Sequence, residues 1–325
     1  MSDPVANTVE KVLLAAPRGY CAGVDRAVQT VERTLEIHGP PVYVRKEIVH
    51  NKHVVQRLRE RGVIFVERET DVPEGSVCVF SAHGVAPSVH ANAQARELRT
   101  IDATCPLVTK VHREALRFAE EGYTIVLVGH DGHEEVEGTM GEAPERILLV
   151  QSEQDVDELQ VEDPERIAYV TQTTLSVDET SSILARLKER FPALVGPRTD
   201  DICYATTNRQ TAVKQLAGSC DLMLVIGSRN SSNSVRLVEV ARDFGADAHL
   251  IDSASEVREE WLTDKRVVGI SSGASAPENL VRELVGFFRE RGVADISEVD
   301  AVKEDVRFML PKQVRGEAVT VGEAS

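Results

Sequence analysis

The sequence VLLAAPRGYCAGVDRAV, residues 12–28, joins a short apolar run to a polar turn and then to a regularly spaced apolar pattern. The apolar run predicts a β-strand. The positions after the turn are spaced for one face of a helix: Val24, Val28, Val31 and Leu35. Gly19 and Gly23 let the backbone bend on either side of Cys21. A thiolate at such a turn is stabilised by the helix dipole and suits a metal ligand or a nucleophile, whereas the simpler interpretation is a small buried cysteine.

Short apolar strands and helical stretches alternate along the whole chain, which is typical of parallel α/β layers. One strand–loop–helix element recurs three times, starting at residues 13–16, 124–129 and 222–227. We therefore predict an α/β protein of three similar units with mostly parallel sheets, packed around a shared centre. The predicted units are residues 1–105, 106–198 and 199–289, with residues 290–325 packing back on the first unit. In this last segment we expect a strand at 306–310 and a loose tail at 316–325.

Composition limits the classes of partner. The chain has 325 residues, with 37 Lys and Arg against 53 Asp and Glu, and its net charge is −16. A chain this acidic does not favour nucleic acid, although a locally positive pocket can still bind a small anion. Five cysteines are too few for a disulfide scaffold and predict a reducing, cytoplasmic setting. Residues 1–4 do not begin a signal peptide, and no apolar run has the length of a membrane span.

Three of the five cysteines follow strand-like segments, one in each predicted unit: Cys21, Cys105 and Cys203. Three thiolates that converge can hold an iron–sulfur cluster with one iron lacking a protein ligand. They can also hold zinc with a fourth ligand such as histidine. Cys78 lies inside a predicted strand and Cys220 just before one, so we expect both to be structural.

Polar side chains also gather at predicted strand ends: His50, His83, His133, Ser231, Ser232, Asn233 and Ser275. Imidazoles, hydroxyls and amides in such positions are suited to holding phosphate oxygens. The alternatives are unrelated surface histidines and an ordinary solvated turn at Ser231.

Glu135 shares a loop with His133, and Thr173 ends another predicted strand. A carboxyl group near a metal-bound substrate can deliver protons, although Glu135 also fits a solvated acid in an acidic loop. Neither a G-x-G-x-x-G nor a P-loop motif is present in the sequence. The sequence therefore predicts no built-in nicotinamide, flavin or ATP site, and redox work would need electrons from another protein.

Nine motifs occur in order along the chain: PRGYCAGV (17–24), EIVHN (47–51), SAHGV (81–85), DATCP (102–106), GH with EVEGT (132–133 and 135–139), TQTTLSV (171–177), DICYATTNR (201–209), NSSNS (230–234) and GASAP (273–277). Through them the sequence resembles the 4-hydroxy-3-methylbut-2-enyl diphosphate reductase family of the non-mevalonate isoprenoid pathway, from about residue 13 to residue 311.

The resemblance implies a trefoil of three α/β units around a central [4Fe–4S] cluster, one per chain. Its ligands would be Cys21, Cys105 and Cys203, with the fourth iron open to the substrate hydroxyl. The diphosphate of the allylic substrate would lie against His50, His83, His133, Ser231, Ser232, Asn233 and Ser275. Glu135 would deliver protons, with His133 beside it, and Thr173 would position the hydroxyl.

The resemblance also implies a two-electron reductive dehydroxylation to isopentenyl and dimethylallyl diphosphate. An external one-electron donor such as ferredoxin or flavodoxin would supply the electrons, with no part for nucleic acid or membrane. Glu134 departs from the pattern, because many relatives have proline there, and we expect it to loosen the loop that carries Glu135. Two other classes remain: a non-redox iron–sulfur hydro-lyase and a cluster- or zinc-containing diphosphate sensor.

Overall fold

Strands and helices alternate along the chain, as the apolar pattern predicts. The computed structural model describes residues 8–315, so the predicted tail at 316–325 and the N-terminal residues 1–4 lie outside the described residues. The strands are β1 (Lys11–Ala16), β2 (Val42–Arg45), β3 (Val63–Val66), β4 (Val77–Phe80), β5 (Arg99–Asp102), β6 (Thr124–Val128), β7 (Ile147–Val150), β8 (Ile167–Thr171), β9 (Leu222–Ile226), β10 (Asp247–Ile251), β11 (Val267–Ser272) and β12 (Asp295–Asp300).

The α-helices are α1 (Ala22–His38), α2 (Lys52–Glu60), α3 (Pro87–Ala95), α4 (Pro106–Glu120), α5 (Glu134–Met140), α6 (Glu153–Glu158), α7 (Val177–Arg190), α8 (Tyr204–Ala217), α9 (Ser232–Asp243), α10 (Glu259–Leu262) and α11 (Glu278–Glu290). Short 3-10 helices lie at Glu69–Asp71, Ala254–Glu256 and Lys312–Val314. Within residues 8–315, none of the helices combines the length and the apolar content that crossing a bilayer requires.

The strands form three sheets whose pairings are all parallel among the described residues. Their orders are β10-β9-β11-β1-β12, β3-β2-β4-β5 and β7-β6-β8. Parallel strands need crossover connections, and the intervening helices supply them. The predicted α/β class is confirmed.

The strand that opens the chain lies in a different sheet from the one we expected. β1 pairs with β11 and β12, with Leu14 opposite both Ile270 and Glu298, and not with β2–β5. Its residues Val12 and Ala15 point to opposite faces and are both fully buried, so β1 needs cover on both sides and takes an inner position. The predicted boundaries of the three units stay a prediction.

The C-terminal segment also differs in part. The prediction of a strand at residues 306–310 is wrong, because that segment pairs with no other strand. The last strand among the described residues is β12. The signal of β12 was weak because its sequence, DISEVD, is mostly polar and belongs to a half-exposed edge. Further on, Val314 is buried in the core built by α1 and β2–β5, with Leu310 packed against it. This part of the segment therefore contacts the core that α1 and β2–β5 form.

The cores are aliphatic and follow the predicted periodicity. On α1, Val28, Val31 and Leu35 are buried in the first core, and Val24 packs against it. Cys78 is fully buried in β4, and Cys220 is buried just before β9.

One buried cation ties three distant parts of the fold together. Arg209, on α8, has a fully buried side chain. Its guanidinium donates hydrogen bonds to the carbonyl oxygen of Gly19 (2.7 and 3.2 Å) and to a carboxylate oxygen of Glu304 (3.0 Å). Arg209 therefore connects the first half of α8 to the turn before α1 and to the C-terminal segment.

We predict that Arg209→Ala lowers the free energy of unfolding by about 3 kcal/mol or more, because it leaves the buried carbonyl of Gly19 without its donor and Glu304 without its cation. Urea unfolding followed by circular dichroism measures this change. Arg282→Ala, at an exposed position on α11, is the control and should change stability by roughly 0.5 kcal/mol or less. Equal midpoints for the two variants would contradict the role assigned to Arg209.

Candidate active site

All twelve residues that the sequence singles out for chemistry line one cavity of about 680 Å³, counted to its open mouth. They are Cys21, His50, His83, Cys105, His133, Glu135, Thr173, Cys203, Ser231, Ser232, Asn233 and Ser275. Residues that are separate in sequence meet there because the carboxyl ends of parallel strands carry the loops that surround it.

Each of the three cavity cysteines is the N-cap residue of a helix. Cys21 precedes α1, Cys105 precedes α4, with Pro106 at its first position, and Cys203 precedes α8. Helix amide groups therefore face the sulfur atoms. The Sγ of Cys21 accepts from the amide of Val24 at 3.5 Å, and the Sγ of Cys203 accepts from that of Thr206 at 3.4 Å. Partial positive charge at a helix N-terminus stabilises a thiolate.

Backbone hydrogen bonds attach each cysteine to a loop that carries another cavity residue. The amide of Cys21 donates to the carbonyl of Ala274 (3.2 Å), next to Ser275. The amide of Cys105 donates to that of Ala82 (3.0 Å), next to His83. The amide of Cys203 donates to Thr173 itself (3.1 Å). The thiols and the polar residues thus keep fixed relative positions.

The thiols need a cation in order to ionise. Burial, followed by repulsion from Cys21, raises the pKa of the Cys105 thiol to about 12 and that of Cys203 to about 11. Gly23 leaves space for whatever the thiols bind, because a Cβ there would lie 2.6 Å from the Sγ of Cys105 and 3.8 Å from that of Cys21. Soft thiolates with free space between them fit an iron–sulfur cluster.

The spacing of the thiols disfavours a single zinc ion. Among residues 8–315, only His50, His83 and Glu134 place three possible ligand atoms within 4.8 Å of one another, so the three sulfur atoms are spread more widely. A tetrahedral site with Zn–S bonds of about 2.3 Å brings its sulfur atoms to roughly 3.8 Å. Cluster ligands bind different irons and lie further apart. His50, His83 and Glu134 remain a possible donor set for a divalent ion.

Three imidazoles line the cavity beyond the thiols. The rings of His50 and His83 stack at 4.0 Å between centroids, and His133 stands edge-on to them at 5.5 and 5.9 Å. Burial and the neighbouring histidines lower the pKa of His50, and the same causes lower that of His133 to about 3. A bound anion would offset this repulsion.

The hydrogen bond of His133 determines which of its nitrogen atoms carries the proton. His133 is the N-cap residue of α5, and its Nδ1 accepts from the amide of Glu135 at 3.1 Å. In the neutral ring the proton is therefore on Nε2. His133 can donate a hydrogen bond to an anion without being charged.

Two carboxylates stand behind the other histidines. Glu47 lies 3.2 Å from the Nδ1 of His50, and Glu134 lies 3.0 Å from the Nδ1 of His83. Burial alone would raise the pKa of Glu134, but the hydrogen bond with His83 and the charges of His83 and His50 outweigh it and lower that pKa. The expected loosening by Glu134 is not what the geometry indicates, because the pair with His83 connects its loop to the loop after β4.

Hydroxyl and amide groups line the opposite wall. Ser231 is the N-cap residue of α9, and the hydroxyl of Ser275 donates to the carbonyl of His50 at 2.9 Å. Asn233 accepts from the amide of Ala274 at 3.0 Å, and Ser232 donates to the carbonyl of Thr174 at 3.3 Å. This wall presents a helix N-terminus and several hydroxyl groups to a ligand, which suits phosphate oxygens.

Glu135 and Thr173 form a buried pair. The amide of Thr173 donates to one carboxylate oxygen of Glu135 at 2.6 Å, and its hydroxyl donates to the other at 3.1 Å. Burial raises the pKa of Glu135 to about 7, with the bonds from Thr173 opposing the rise. The carboxyl group is therefore partly protonated near neutral pH and can give up a proton.

Some cavity residues escaped the sequence analysis. The hydroxyl of Thr206 lies 3.2 Å from the Sγ of Cys203 and accepts a bond from Asn233 at 3.4 Å, which links a thiol to the polar wall. Its position three residues after an N-cap cysteine is the signal that could have identified it. An apolar strip also lines the cavity, formed by Val24, Val49, Ala82, Leu107 and Val108.

Comparisons with known proteins agree over nearly the whole chain. A family model described as LytB protein matches residues 12–289. A 4-hydroxy-3-methylbut-2-enyl diphosphate reductase of Nocardia farcinica is 61% identical over 311 residues, which cover 95% of this chain and 93% of that protein.

Two solved structures are also similar. The E-1-hydroxy-2-methyl-but-2-enyl-4-diphosphate reductase from Plasmodium falciparum has a TM-score of 0.92 at 38% identity and covers 94% of this chain and 97% of that one. An (E)-4-hydroxy-3-methyl-but-2-enyl diphosphate reductase, described as the terminal enzyme of the non-mevalonate pathway, has a TM-score of 0.63 at 32% identity, over 87% of this chain and 100% of that one.

We predict that Gly23→Ala removes most of the iron and sulfide that the chain binds on anaerobic reconstitution, because the new methyl group collides with the sulfur of Cys105. The matched control is Gly286→Ala on α11, where a Cβ meets no atom within 4 Å. Alanine is the better helix former at both positions, so circular dichroism should show no loss of helix in either variant. Full iron content in Gly23→Ala would contradict the assigned space.

We predict that Glu135→Gln stabilises the metal-free full chain at pH 8 and not at pH 5. The pKa of Glu135 is about 7 in the fold against an ordinary value of 4.5, so the folded state binds more protons in this range and the wild type loses stability as pH rises through it. Glutamine stays neutral and avoids that loss. Thermal unfolding from pH 4.5 to 8.5 measures the difference between the two proteins, and a difference independent of pH would contradict the raised pKa.

Proposed function

The chain belongs to the LytB protein family of 4-hydroxy-3-methylbut-2-enyl diphosphate reductases, and we propose how its own residues bind, orient and protonate the substrate. It is an oxidoreductase of the non-mevalonate pathway. The observation that carries the proposed mechanism is the placement of three thiols, three imidazoles and the Glu135–Thr173 pair around one cavity.

The proposed reaction consumes two electrons and two protons. The C–O bond of the allylic alcohol breaks, the hydroxyl group leaves as water, and a C–H bond forms at one end of the allyl unit. Protonation at one end or the other yields isopentenyl or dimethylallyl diphosphate. The chain must therefore hold the diphosphate, shield the hydrocarbon and deliver protons at the leaving oxygen.

Cys21, Cys105 and Cys203 would hold a [4Fe–4S] cluster with one iron free of a protein ligand. When bound, such a cluster supplies single electrons and Lewis acidity at the substrate hydroxyl. The amides at the helix N-termini stabilise the thiolates, and the hydroxyl of Thr206 adds a hydrogen bond to Cys203.

We assign the diphosphate to the space between the imidazoles and the α9 wall. His133 donates from Nε2 while neutral, and Glu47 and Glu134 hold the rings of His50 and His83 through their Nδ1 atoms. Ser231, Ser232, Asn233 and Ser275 complete the cradle with hydroxyl and amide groups. An anion in this position benefits from the α9 N-terminus as well.

The remaining groups act on the organic part of the substrate. The apolar strip defined above contacts the five-carbon chain and excludes water from it. Glu135, protonated in part at neutral pH, provides a proton, and its hydrogen bonds from Thr173 hold the carboxyl group in place. The hydroxyl of Thr173 orients the substrate hydroxyl and passes the proton on.

The electrons would come from an external one-electron donor such as a ferredoxin or flavodoxin, since the sequence has no nucleotide-binding motif. We propose a cytoplasmic setting for the reaction, where reduced thiols persist.

Anaerobic analysis of metal and turnover tests this function. We predict about four irons per chain in the wild type and loss of most of them in Cys105→Ser. Cys220→Ser is the matched control, because Cys220 lies outside the cavity and should leave iron unchanged. With reduced methyl viologen, the wild type should convert the allylic diphosphate, whereas Glu135→Gln should keep its iron and spectrum and lose at least about 100-fold in kcat.

The outcomes separate the alternatives. Stoichiometric zinc, or no metal after anaerobic reconstitution, would favour a binding protein over the reductase. Turnover without any reductant would indicate a hydro-lyase. Normal turnover in Glu135→Gln would remove that carboxyl group from the mechanism.

A further inference from the structure

The segment at residues 301–315, which has no regular secondary structure up to Pro311, is hydrogen-bonded to residues near each of the three cavity cysteines. Glu304 accepts hydrogen bonds from Asn208 (3.1 Å) and Arg209 (3.0 Å), in the second turn of the helix that begins after Cys203. Further along, the carbonyl of Met309 accepts from Arg26 (2.9 Å), in the helix that begins after Cys21.

The third cysteine is reached through the same arginine. Arg26 also donates to the carbonyl of Thr104 at 3.0 Å, and Thr104 is the residue before Cys105. The side chain of Arg26 thus bridges the outer segment and the backbone next to a thiol. A short path of covalent bonds and hydrogen bonds therefore connects the segment to Cys105. This path does not pass through the mouth of the cavity, which the substrate needs in order to enter.

The outer surface of this segment is both apolar and basic. Of the seven large apolar side chains that are exposed among residues 8–315, three lie here: Val302 (37%), Val306 (40%) and Met309 (74%). The side chains of Lys303, Arg307 and Lys312 are exposed and form no ion pair with any described residue. Against these three exposed cations the same stretch has one exposed carboxylate, Asp305, so it is locally positive in a chain whose net charge is −16.

We propose that these six residues, Val302, Lys303, Val306, Arg307, Met309 and Lys312, form the docking surface for a small acidic electron-transfer protein. We call this surface the donor face. The inference rests on the proposed reductase function, which requires electrons from another protein. It adds the place on the surface where those electrons enter. The cluster that Cys21, Cys105 and Cys203 would hold would accept one electron from the reduced partner in each encounter, so two encounters would supply one turnover.

Charge and chemistry favour this occupant over others. An acidic partner is repelled by the rest of the molecule and attracted only by a local positive region, which both steers and orients its approach. A second copy of this chain would bring two sets of the exposed cations Lys303, Arg307 and Lys312 together at this surface. The exposed apolar side chains provide the desolvated centre that short-lived protein–protein contacts need.

A binding titration tests the donor face without relying on catalysis. The probe is a purified acidic ferredoxin, titrated anaerobically into the iron-loaded full chain at low and high salt. We expect Arg307→Glu/Lys312→Glu to weaken binding about tenfold or more at low salt, with a smaller effect at high salt. Met309→Ser should weaken binding at both salt concentrations, because its contribution is apolar.

The matched control has the same change in net charge. Lys188→Glu/Arg289→Glu reverses two exposed cations on α7 and α11 that form no ion pair with a described residue, and it should leave the affinity within about twofold of the wild type. Turnover driven by reduced ferredoxin should fall with affinity in the donor-face variant. Turnover driven by reduced methyl viologen should not change in any of these proteins.

The possible results are distinct. Unchanged ferredoxin affinity in both donor-face variants, or an equal loss in the control, would overturn the docking surface while leaving the reductase function intact. No viologen-driven turnover in the wild type would overturn the function, and the titration would still report on the surface. If sedimentation shows a dimer that Met309→Ser dissolves, the face is a self-interface and the proposal fails.

Discussion

Three backbone hydrogen bonds, from the amides of Cys21, Cys105 and Cys203 to loops at the ends of β11, β4 and β8, hold the centre of this molecule together. Each cysteine ends a turn and starts a helix, so its sulfur lies at the positive end of a helix dipole. Because the accepting loops carry Ser275, His83 and Thr173, the same bonds set the positions of the three thiols and of these polar side chains. Loop geometry and cavity shape cannot vary independently here.

Burial shifts the pKa values of acids and bases in the cavity in opposite directions, in each case toward the neutral form. Burial lowers the pKa of His133 to about 3, whereas it raises that of Glu135 to about 7 and that of Cys105 to about 12. Burial favours the neutral form of each of these groups, because the charged form would lose its hydration by water. A cation bound between the thiols would therefore favour thiolates and release protons. An anion bound between the imidazoles would favour their charged forms and take up protons.

The C-terminal segment contributes to more than one layer of the structure. β12 extends the sheet of the third unit, Glu304 pairs with the buried Arg209, and Val314 fills the core of the first unit. A segment fixed at three points can expose Met309 and its basic neighbours without unfolding, because its stability comes from the anchors and not from the exposed residues.

Local patterns in the sequence determined the α/β class, the helix after Cys21 and twelve of the residues that line the cavity. Strand ends and glycine turns are local signals, and nine ordered motifs located every residue chosen for the site. The tertiary structure alone decided that β1 joins β11 and β12, because apolar strands carry no record of which neighbours cover them. It also decided the pairing of Glu134 with His83 and the burial of Arg209, since both depend on contacts between residues 51 or more positions apart. Residues suited to chemistry can be recognised from local sequence patterns, whereas their interaction partners depend on how the chain packs.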